Sequence, residues 1–451
     1  MKNLLPESLK KLAKLFEPFA TLYVVGGAVR NSLLGFPISD FDITSKLQID
    51  IVERLLSESD FKITAQYKRT GTLVIKCRNE SFEYTTFRQD SYPLNSGKHK
   101  PSKCIFTDNI EIDASRRDFT CNALYYDICT DKIVDLVGGI EDIKNKILRT
   151  VRDANLTLSE DALRIMRLVR FSLQLGFGID NNTLSSAKEY SVGLKDISKE
   201  RIKDELVSIF EGIFKYDSYK SGLKASDGIR LLVDIGAMKY IIPELLDTIG
   251  VAQNPKYHIY DVFEHSLATM DNLPPHLMIV GLLHDIAKPI MLKEYGNMYM
   301  HEIRGAELVG EILTRLKFSN AEIESAEKLT RIHMFDLDGK TRTSKCRVFI
   351  ADNLEYFDDF IALKQADGLA TNKDIYDGNY VKKLIQLKNQ MLADGMPMKV
   401  KDLPINGIDL MELGFSGREI GEMLNNIRLW ILHNGKIITR EEILNRLRRR
   451  K

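Results

Sequence analysis

The sequence predicts an α+β protein: a small mixed β-sheet head with helices over residues 1–150, followed by an all-helical remainder. Three observations carry this. Short β-branched runs bounded by turn residues, from TLYVVGG to FEYTTFR, are confined to the first third. From about Leu158 on, apolar residues recur at helical spacing, as in EDALRIMRLVRFSLQLG. No internal repeat or low-complexity tract interrupts either pattern.

The N-terminal MKNLLPESLKKLAKLFEPF is amphipathic and broken by Pro6 and Pro18. It lacks the apolar core of a signal peptide, and no run is long enough to span a bilayer, so no membrane partner is expected. TLYVVGG reads as a strand entering a tight turn, AVRNSLLG as a short helix closed by Gly35, and DFDIT as a second strand. GTLVIKC and FEYTTFR are further strands, and QDSYPLNSGKHKPSKC, rich in polar and turn residues, is expected to be a mobile loop. With 451 residues the chain is long enough for two or more domains with their own cores. Lys+Arg 64 against Asp+Glu 63 leaves a net charge of +1, so bulk charge neither demands nor excludes a nucleic-acid partner. Five cysteines without a CxxC pair argue against a disulfide framework or zinc ribbon and fit a reducing, cytoplasmic setting.

The stretch VVGGAVRNSLLGFPISDFDIT carries the first chemistry. Residues two apart on a strand share a face, so Asp40 and Asp42 should converge, with Phe41 turned to the core. Adjacent carboxylates repel unless a cation lies between them, and oxygen ligands favour Mg²⁺. Phosphoryl and nucleotidyl transfer need such a metal. Gly26 and Gly27 would let backbone N–H groups approach a triphosphate at a helix N-terminus, and Arg30 would add charge. Taken singly, Asp-x-Asp is equally a solvated strand end and Gly-Gly a plain turn. Glu83 in SFEYTTFR is a candidate third carboxylate, or a surface glutamate.

GGAVR…LLG…DFDIT resembles the nucleotidyltransferase signature of class II CCA-adding enzymes, in the tRNA nucleotidyltransferase and poly(A) polymerase superfamily. RRDFTCNALYYD, IVDLVGGIEDIKNKILRTV, EDALRIMRLVRF and ISKERIKDEL resemble the family's following blocks, in order. The resemblance implies that Asp40 and Asp42 bind catalytic metal, and that CTP, ATP and tRNA are substrates. It also implies that Asp161 and Arg164 serve as a protein template for the base. The donors agree: a carboxylate can accept from the exocyclic amino group of C or A, and a guanidinium can donate to the neighbouring ring position. U and G place a carbonyl there, which leaves polar groups unpaired. Three apart, Asp161 and Arg164 would share one helix face, with Glu160 orienting the arginine; a surface ion pair is the bland alternative. The resemblance places Arg117 and Asp118 near the sugar, Asp118 facing a 2′-OH, with Asn122 in support or merely a cap. Arg167 and Arg170 would contact phosphate or form ion pairs. Family enzymes that add A carry a flexible loop between residues 88 and 116, and this chain keeps a long segment there.

A second constellation follows: His265, His284, Asp285, His301, His333 and Asp367. Tandem His-Asp in the apolar LMIVGLLHDIAKP is costly to bury unless satisfied. Imidazoles with carboxylates suit Mn²⁺, Ni²⁺, Co²⁺ or Fe²⁺. This resembles the HD phosphohydrolase domain, whose metal activates water on a phosphoester; a decayed HD scaffold is the alternative. VKDLPINGIDLMELGFSGREIGEML resembles the tail of HD-containing CCA-adding enzymes, with Gly414, Gly417 and Gly421 at helix ends or close approaches and tRNA as partner. The expected plan is a head (1–150), a nucleotide-selecting neck (151–225), an HD domain (226–372) and a tRNA-binding tail (373–451). The expected function is CCA addition to tRNA with release of pyrophosphate. An A-adding enzyme, a poly(A) polymerase, a protein acting mainly as an HD phosphohydrolase, and a non-catalytic RNA-binding module are the alternatives.

Overall fold

The structure is a computed structural model that describes residues 1–92, 103–216, 222–337, 339–372 and 376–449. The chain forms two compact units, Met1–Leu246 and Asp247–Lys451.

The first unit is built on a seven-stranded mixed sheet. Its strands are β1 (Tyr23–Val25), β2 (Asp42–Ser45), β3 (Lys62–Tyr67), β4 (Thr72–Cys77), β5 (Glu80–Thr86), β8 (Leu124–Asp127) and β9 (Lys132–Asp135), in the order β3-β4-β5-β2-β1-β8-β9. β1 runs antiparallel to β2 and β8, while β2 and β5 are parallel. The alternation read from the sequence has a physical role. β5 buries Phe82, Tyr84 and Thr86 and turns Ser81 and Glu83 outward. Helix α1 (Glu7–Phe16) covers the inner face with Leu9, Leu12, Ala13 and Phe16, whose ring lies 5.7 Å from that of Tyr84.

Gly26 has φ +77°, a conformation that a side chain would strain, and so turns β1 directly into α2 (Gly27–Leu34). Gly35, at φ +71°, closes α2 with its amide on the Asn31 carbonyl. The segment expected to be loop is partly ordered: β6 (Arg88–Ser91) and β7 (Lys103–Phe106) form an antiparallel hairpin. The rest of that expected loop, 93–102, lies outside the described residues.

Beyond the sheet the unit is helical, with α6 (Ala154–Glu160), α7 (Leu163–Leu175), α8 (Asn181–Tyr190), α9 (Lys199–Gly212), α10 (Ala225–Asp234) and α11 (Met238–Ile241). α10 belongs to the first unit, which runs to Leu246. The reason is close packing: a Cβ on Gly228 of α10 would come 2.5 Å from Leu173 of α7 and 3.0 Å from Ile209 of α9.

The second unit is all-helical. α12 (Val262–Asp271), α13 (Met278–Leu283), α15 (His301–Arg315), α16 (Asn320–Ile332) and α18 (Phe357–Asn372) surround a common core. Further on, α20 (Gly407–Glu412), α21 (Arg418–Asn434) and α22 (Arg440–Arg448) close over Leu410, Ile427, Ile431 and Ile443. Gly414 (φ +83°) follows α20 and Gly417 (φ +55°) opens α21, as expected of helix-end glycines. Gly421 departs from that expectation: it lies within α21, facing open space. Among the described residues no helix is long and apolar enough to cross a membrane, and all five cysteines are free thiols.

Candidate active site

The turn at Gly26 and the start of β2 bring the sequence-predicted residues to one cavity of about 520 Å³ in the first unit, lined by Gly26, Gly27, Asp40, Asp42 and a set of basic side chains. Asp42 begins β2, whereas Asp40 precedes it outside any strand or helix, where Ser39 Oγ donates to its Oδ2 at 2.8 Å. The two carboxylates therefore meet across a strand end and not along a strand face, and Phe41 is only half-buried. Glu83 is Asp42's register partner on β5, so it stands beside Asp42 on the outward face. Asp42 keeps solvent contact, yet its pKa is raised. Desolvation by the surrounding walls acts first, then the charge of Glu83; Asp40 adds to the rise and Arg117 opposes it. Asp42, with Glu83 beside it and Asp40 in the same cavity, offers oxygen ligands of the kind a hard divalent cation takes.

The Gly26 amide is not free for a phosphate: it donates to Leu124 O at 3.1 Å, holding the turn to β8. Gly27, the first residue of α2, has an N–H beyond the reach of any carbonyl of its own helix. Arg30 is buried. Its guanidinium donates to Oδ1 of Asn31 at 2.9 Å and to Oδ1 of Asn122, and lies 5.2 Å from the Phe171 ring centroid. It braces the cavity wall more than it reaches into the space.

Asn122 passes this contact on, its Nδ2 donating to Asp118 Oδ1 at 3.3 Å, so it is more than a turn residue. Asp118 Oδ2 accepts from Arg167 Nε at 2.8 Å and Nη2 at 2.5 Å, and Oδ1 from the Phe119 amide at 2.7 Å. Burial alone would raise its pKa; Arg167 and the Phe119 amide outweigh that and hold it at about 2. Arg167 and Arg170 both approach Glu205 of α9, at 3.7 and 3.4 Å, so ion pairing engages both. Glu205 lies within the ISKERIKDEL block but had no assigned role. Nor did Asp113, in α4 (Ile110–Ser115), which is fully buried. It accepts from Arg116 Nε at 2.8 Å, Arg117 Nη2 at 3.0 Å, Tyr125 Oη at 2.6 Å and the Arg88 amide at 3.2 Å. The i+3 and i+4 spacing of DASRR was the signal for it.

Asp161 and Arg164 both line the cavity but do not share a helix face. α6 stops at Glu160, Asp161 is extended (φ −142°, ψ 98°), and α7 starts at Leu163. Asp161 instead turns the chain into the new helix, whose N-cap is Ala162: its Oδ1 accepts from the Leu163 amide at 3.1 Å, and its Oδ2 from Arg201 Nη2 at 2.9 Å. Arg164 is buried, donating to Thr157 O at 3.0 Å, Arg116 O at 2.8 Å and Tyr92 Oη at 3.4 Å. Glu160 lies 3.8 Å from Arg164 and pairs more closely with Arg152, so it is not chiefly Arg164's partner. Arg201 and Tyr92 are the residues that sequence reasoning missed here; Arg201 sits in the ISKERIKDEL block.

The second unit assembles the other predicted set. His265 Nε2 lies 3.0 Å from Asp367 Oδ1, and His301 Nε2 lies 3.0 Å from Asp285 Oδ1. His284 Nε2 is 3.3 Å from Asp285 Oδ2, and the Nε2 atoms of His301 and His333 are 3.2 Å apart. Ligand atoms of His265, His284 and Asp367, and of His284, Asp285 and His333, fall within 4.8 Å of one another. His284, His301 and His333 each hold Nδ1 on a backbone carbonyl at 2.6 to 2.9 Å, which leaves Nε2 for a metal. His265 Nε2, His284 Nε2 and Asp285 Oδ1 are buried without a well-formed hydrogen bond, and a cation between them would satisfy all three. Lys288, missed in the sequence, donates to Asp285 Oδ2 at 2.6 Å.

Comparison with known proteins agrees with this geometry. Residues 22–149 match the family model for the poly A polymerase head domain, 176–248 that for a probable RNA and SrmB-binding site of polymerase A, and 257–356 that for the HD domain. The CCA-adding enzyme of Lactobacillus helveticus is 42% identical over 188 residues, a match spanning 42% of this chain and 45% of that relative. The CCA-adding enzyme of Ligilactobacillus salivarius is 29% identical over 98% of this chain and 96% of its own. The crystal structure of the Bacillus stearothermophilus CCA-adding enzyme in complex with CTP superposes with a TM-score of 0.70 at 23% identity, covering 98% of this chain and 96% of the other. That likeness extends the shared fold along the chain. Head and HD domains both imply dependence on divalent metal.

Proposed function

Since the chain belongs to the tRNA nucleotidyltransferase and poly(A) polymerase family, we propose that it adds C and A residues to the 3′ end of tRNA, using CTP and ATP without a nucleic-acid template. The observation that carries this reading is the placement of Asp40 and Asp42 in an arginine-lined cavity, with Glu83 beside Asp42 on the neighbouring strand. A Mg²⁺ ion held by Asp40 and Asp42 would supply charge neutralisation on the triphosphate and acidify the attacking 3′-OH. The remaining work falls to side chains. The Gly27 amide and Arg117 face the phosphates at the start of α2 and stabilise the charge that passes to pyrophosphate. Asp118 is kept ionised by Arg167 and holds an acceptor ready for the 2′-OH of the incoming ribose.

Asp161 and Arg164 choose the base. Each carboxylate oxygen of Asp161 has one described donor and a further lone pair for the amino group of C or A. Arg164 commits three of its five N–H groups to the protein, which fixes its plane and leaves others for the ring edge. Asp42→Ala should abolish incorporation while tRNA binding, followed by filter retention, persists. Normal turnover by that variant would remove Asp42 from the metal site.

The buried orphan donors of the second unit favour a second activity, metal-dependent phosphoester hydrolysis at the HD cluster with Mn²⁺, Ni²⁺, Co²⁺ or Fe²⁺. The free thiols fit a cytoplasmic setting.

A further inference from the structure

A second cavity, of about 490 Å³, opens on the outward face of the same sheet, and Asp42 lines both. Asp40 belongs only to the first cavity and Glu83 only to the second, so the carboxylates stand on the wall between them. In-line displacement at phosphorus brings the nucleophile from the side opposite the leaving group. If the triphosphate occupies the first cavity, the attacking hydroxyl must arrive from the second.

The lining fits that role. The cations at its edge are already engaged: Arg88 Nη1 donates to Thr70 O at 2.6 Å and Nε to Asp90 Oδ1 at 2.9 Å, Arg116 is held by Asp113, and Arg117, tied to the same carboxylate through Nη2, has its Nη1 beside Gly26 of the first cavity. A second polyphosphate would find little unpaired charge here. What remains is a row of hydroxyls: Thr70 Oγ1 lies 3.1 Å from Thr72 Oγ1, which lies 3.3 Å from Thr85 Oγ1. Hydroxyl oxygens each carry two acceptor positions, so this row matches the donors of a ribose. Tyr67, 58% exposed, stands at the rim with its ring available for a base to stack on.

We propose that this second cavity seats the terminal nucleoside of the acceptor RNA, its ribose hydroxyls on Thr72 and Thr85 and its base against Tyr67. The proposal rests on the reading of the first cavity as the nucleotide site. It makes these three residues positioning groups for the acceptor and not for the incoming nucleotide.

The test is steady-state incorporation of labelled CTP and ATP by the full chain with Mg²⁺, on tRNA transcripts whose last sugar is ribose or 2′-deoxyribose. Thr72→Val, Thr85→Val and Tyr67→Ala should each raise KM for tRNA about ten-fold and leave KM for CTP and ATP unchanged. Tyr67→Phe should behave as the unsubstituted protein. Thr85→Val should also narrow the preference for the ribose-ended acceptor. A rise in KM for the nucleotides instead, or no change in either constant, overturns the proposal. Absence of incorporation by the unsubstituted protein overturns the transfer reading itself and this one with it. Because Tyr67 is exposed, its alanine variant tests the site even where a buried threonine substitution impairs folding.

Discussion

Replacing Asp113 by Asn deletes the charge on which Arg116 and Arg117 converge. The carboxyl is fully buried and held at about 2, against an ordinary 3.8; burial pushes it up, and Arg117, Arg116 and the Tyr125 hydroxyl outweigh that. A depressed value of this size corresponds to about 2 kcal/mol of stability at neutral pH. Removing one partner from a buried ion pair costs roughly 3–5 kcal/mol, because the other charge is left uncompensated. Asn keeps some of the hydrogen bonds, so the expected loss is about 3 kcal/mol. The folded-state pKa is lowered, so the contribution is complete above the unfolded value and is lost as pH falls through about 2. The deficit of Asp113→Asn should therefore be constant from about pH 5 to pH 8 and shrink only in stronger acid. Native-state hydrogen exchange of β1 and β8 in graded urea reads the stability of the first unit alone. A deficit under about 1 kcal/mol, or one that drifts between those pH values, would show that Asp113 does not hold the arginine pair as described.

Other substitutions probe separate parts of the account. Gly26→Ala must force a side chain into φ +77°, and should cost about 1–3 kcal/mol and slow incorporation by re-aiming α2; thermal melting and single-turnover rates check both. Arg201→Met frees Asp161, and should reduce discrimination of CTP over UTP about ten-fold with little change in tRNA KM, as measured by competing-nucleotide incorporation. Asp285→Asn should strip transition metal from the second unit, read by elemental analysis of protein purified with Mn²⁺, and equal metal content in both proteins would contradict the cluster.

Much of the architecture follows from local patterns. The Gly26–Gly35 helix could be read because a left-handed glycine stands at each end, and β5 because its alternation matches one buried and one solvated face. The gathering of the second unit's histidines and aspartates could be expected because such residues are rare in apolar surroundings. What could not be read depends on partners distant in sequence. Arg30 looked like a phosphate ligand and Arg167 stood open between phosphate and an ion pair; each is met by a side chain brought in by another element, Asn122 for Arg30, Asp118 and Glu205 for Arg167. The break between α6 and α7 also escaped, since EDALR carries no proline or glycine to mark it. Asp161 accepts from the Leu163 amide and salt-bridges Arg201, which favours extended backbone over continued helix. The β6–β7 hairpin was hidden by polar composition, and it is docked by Arg88 on the Thr70 carbonyl.

The central claim is that one pocket selects C and then A for a tRNA end. Three tRNA transcripts, ending at the discriminator base, at C and at CC, should be supplied with labelled CTP, ATP or both in Mg²⁺. Completion of all three to CCA, followed by arrest, is the predicted result. A single A added only to the CC-ended transcript, long A tails, or no incorporation on any of them would contradict it.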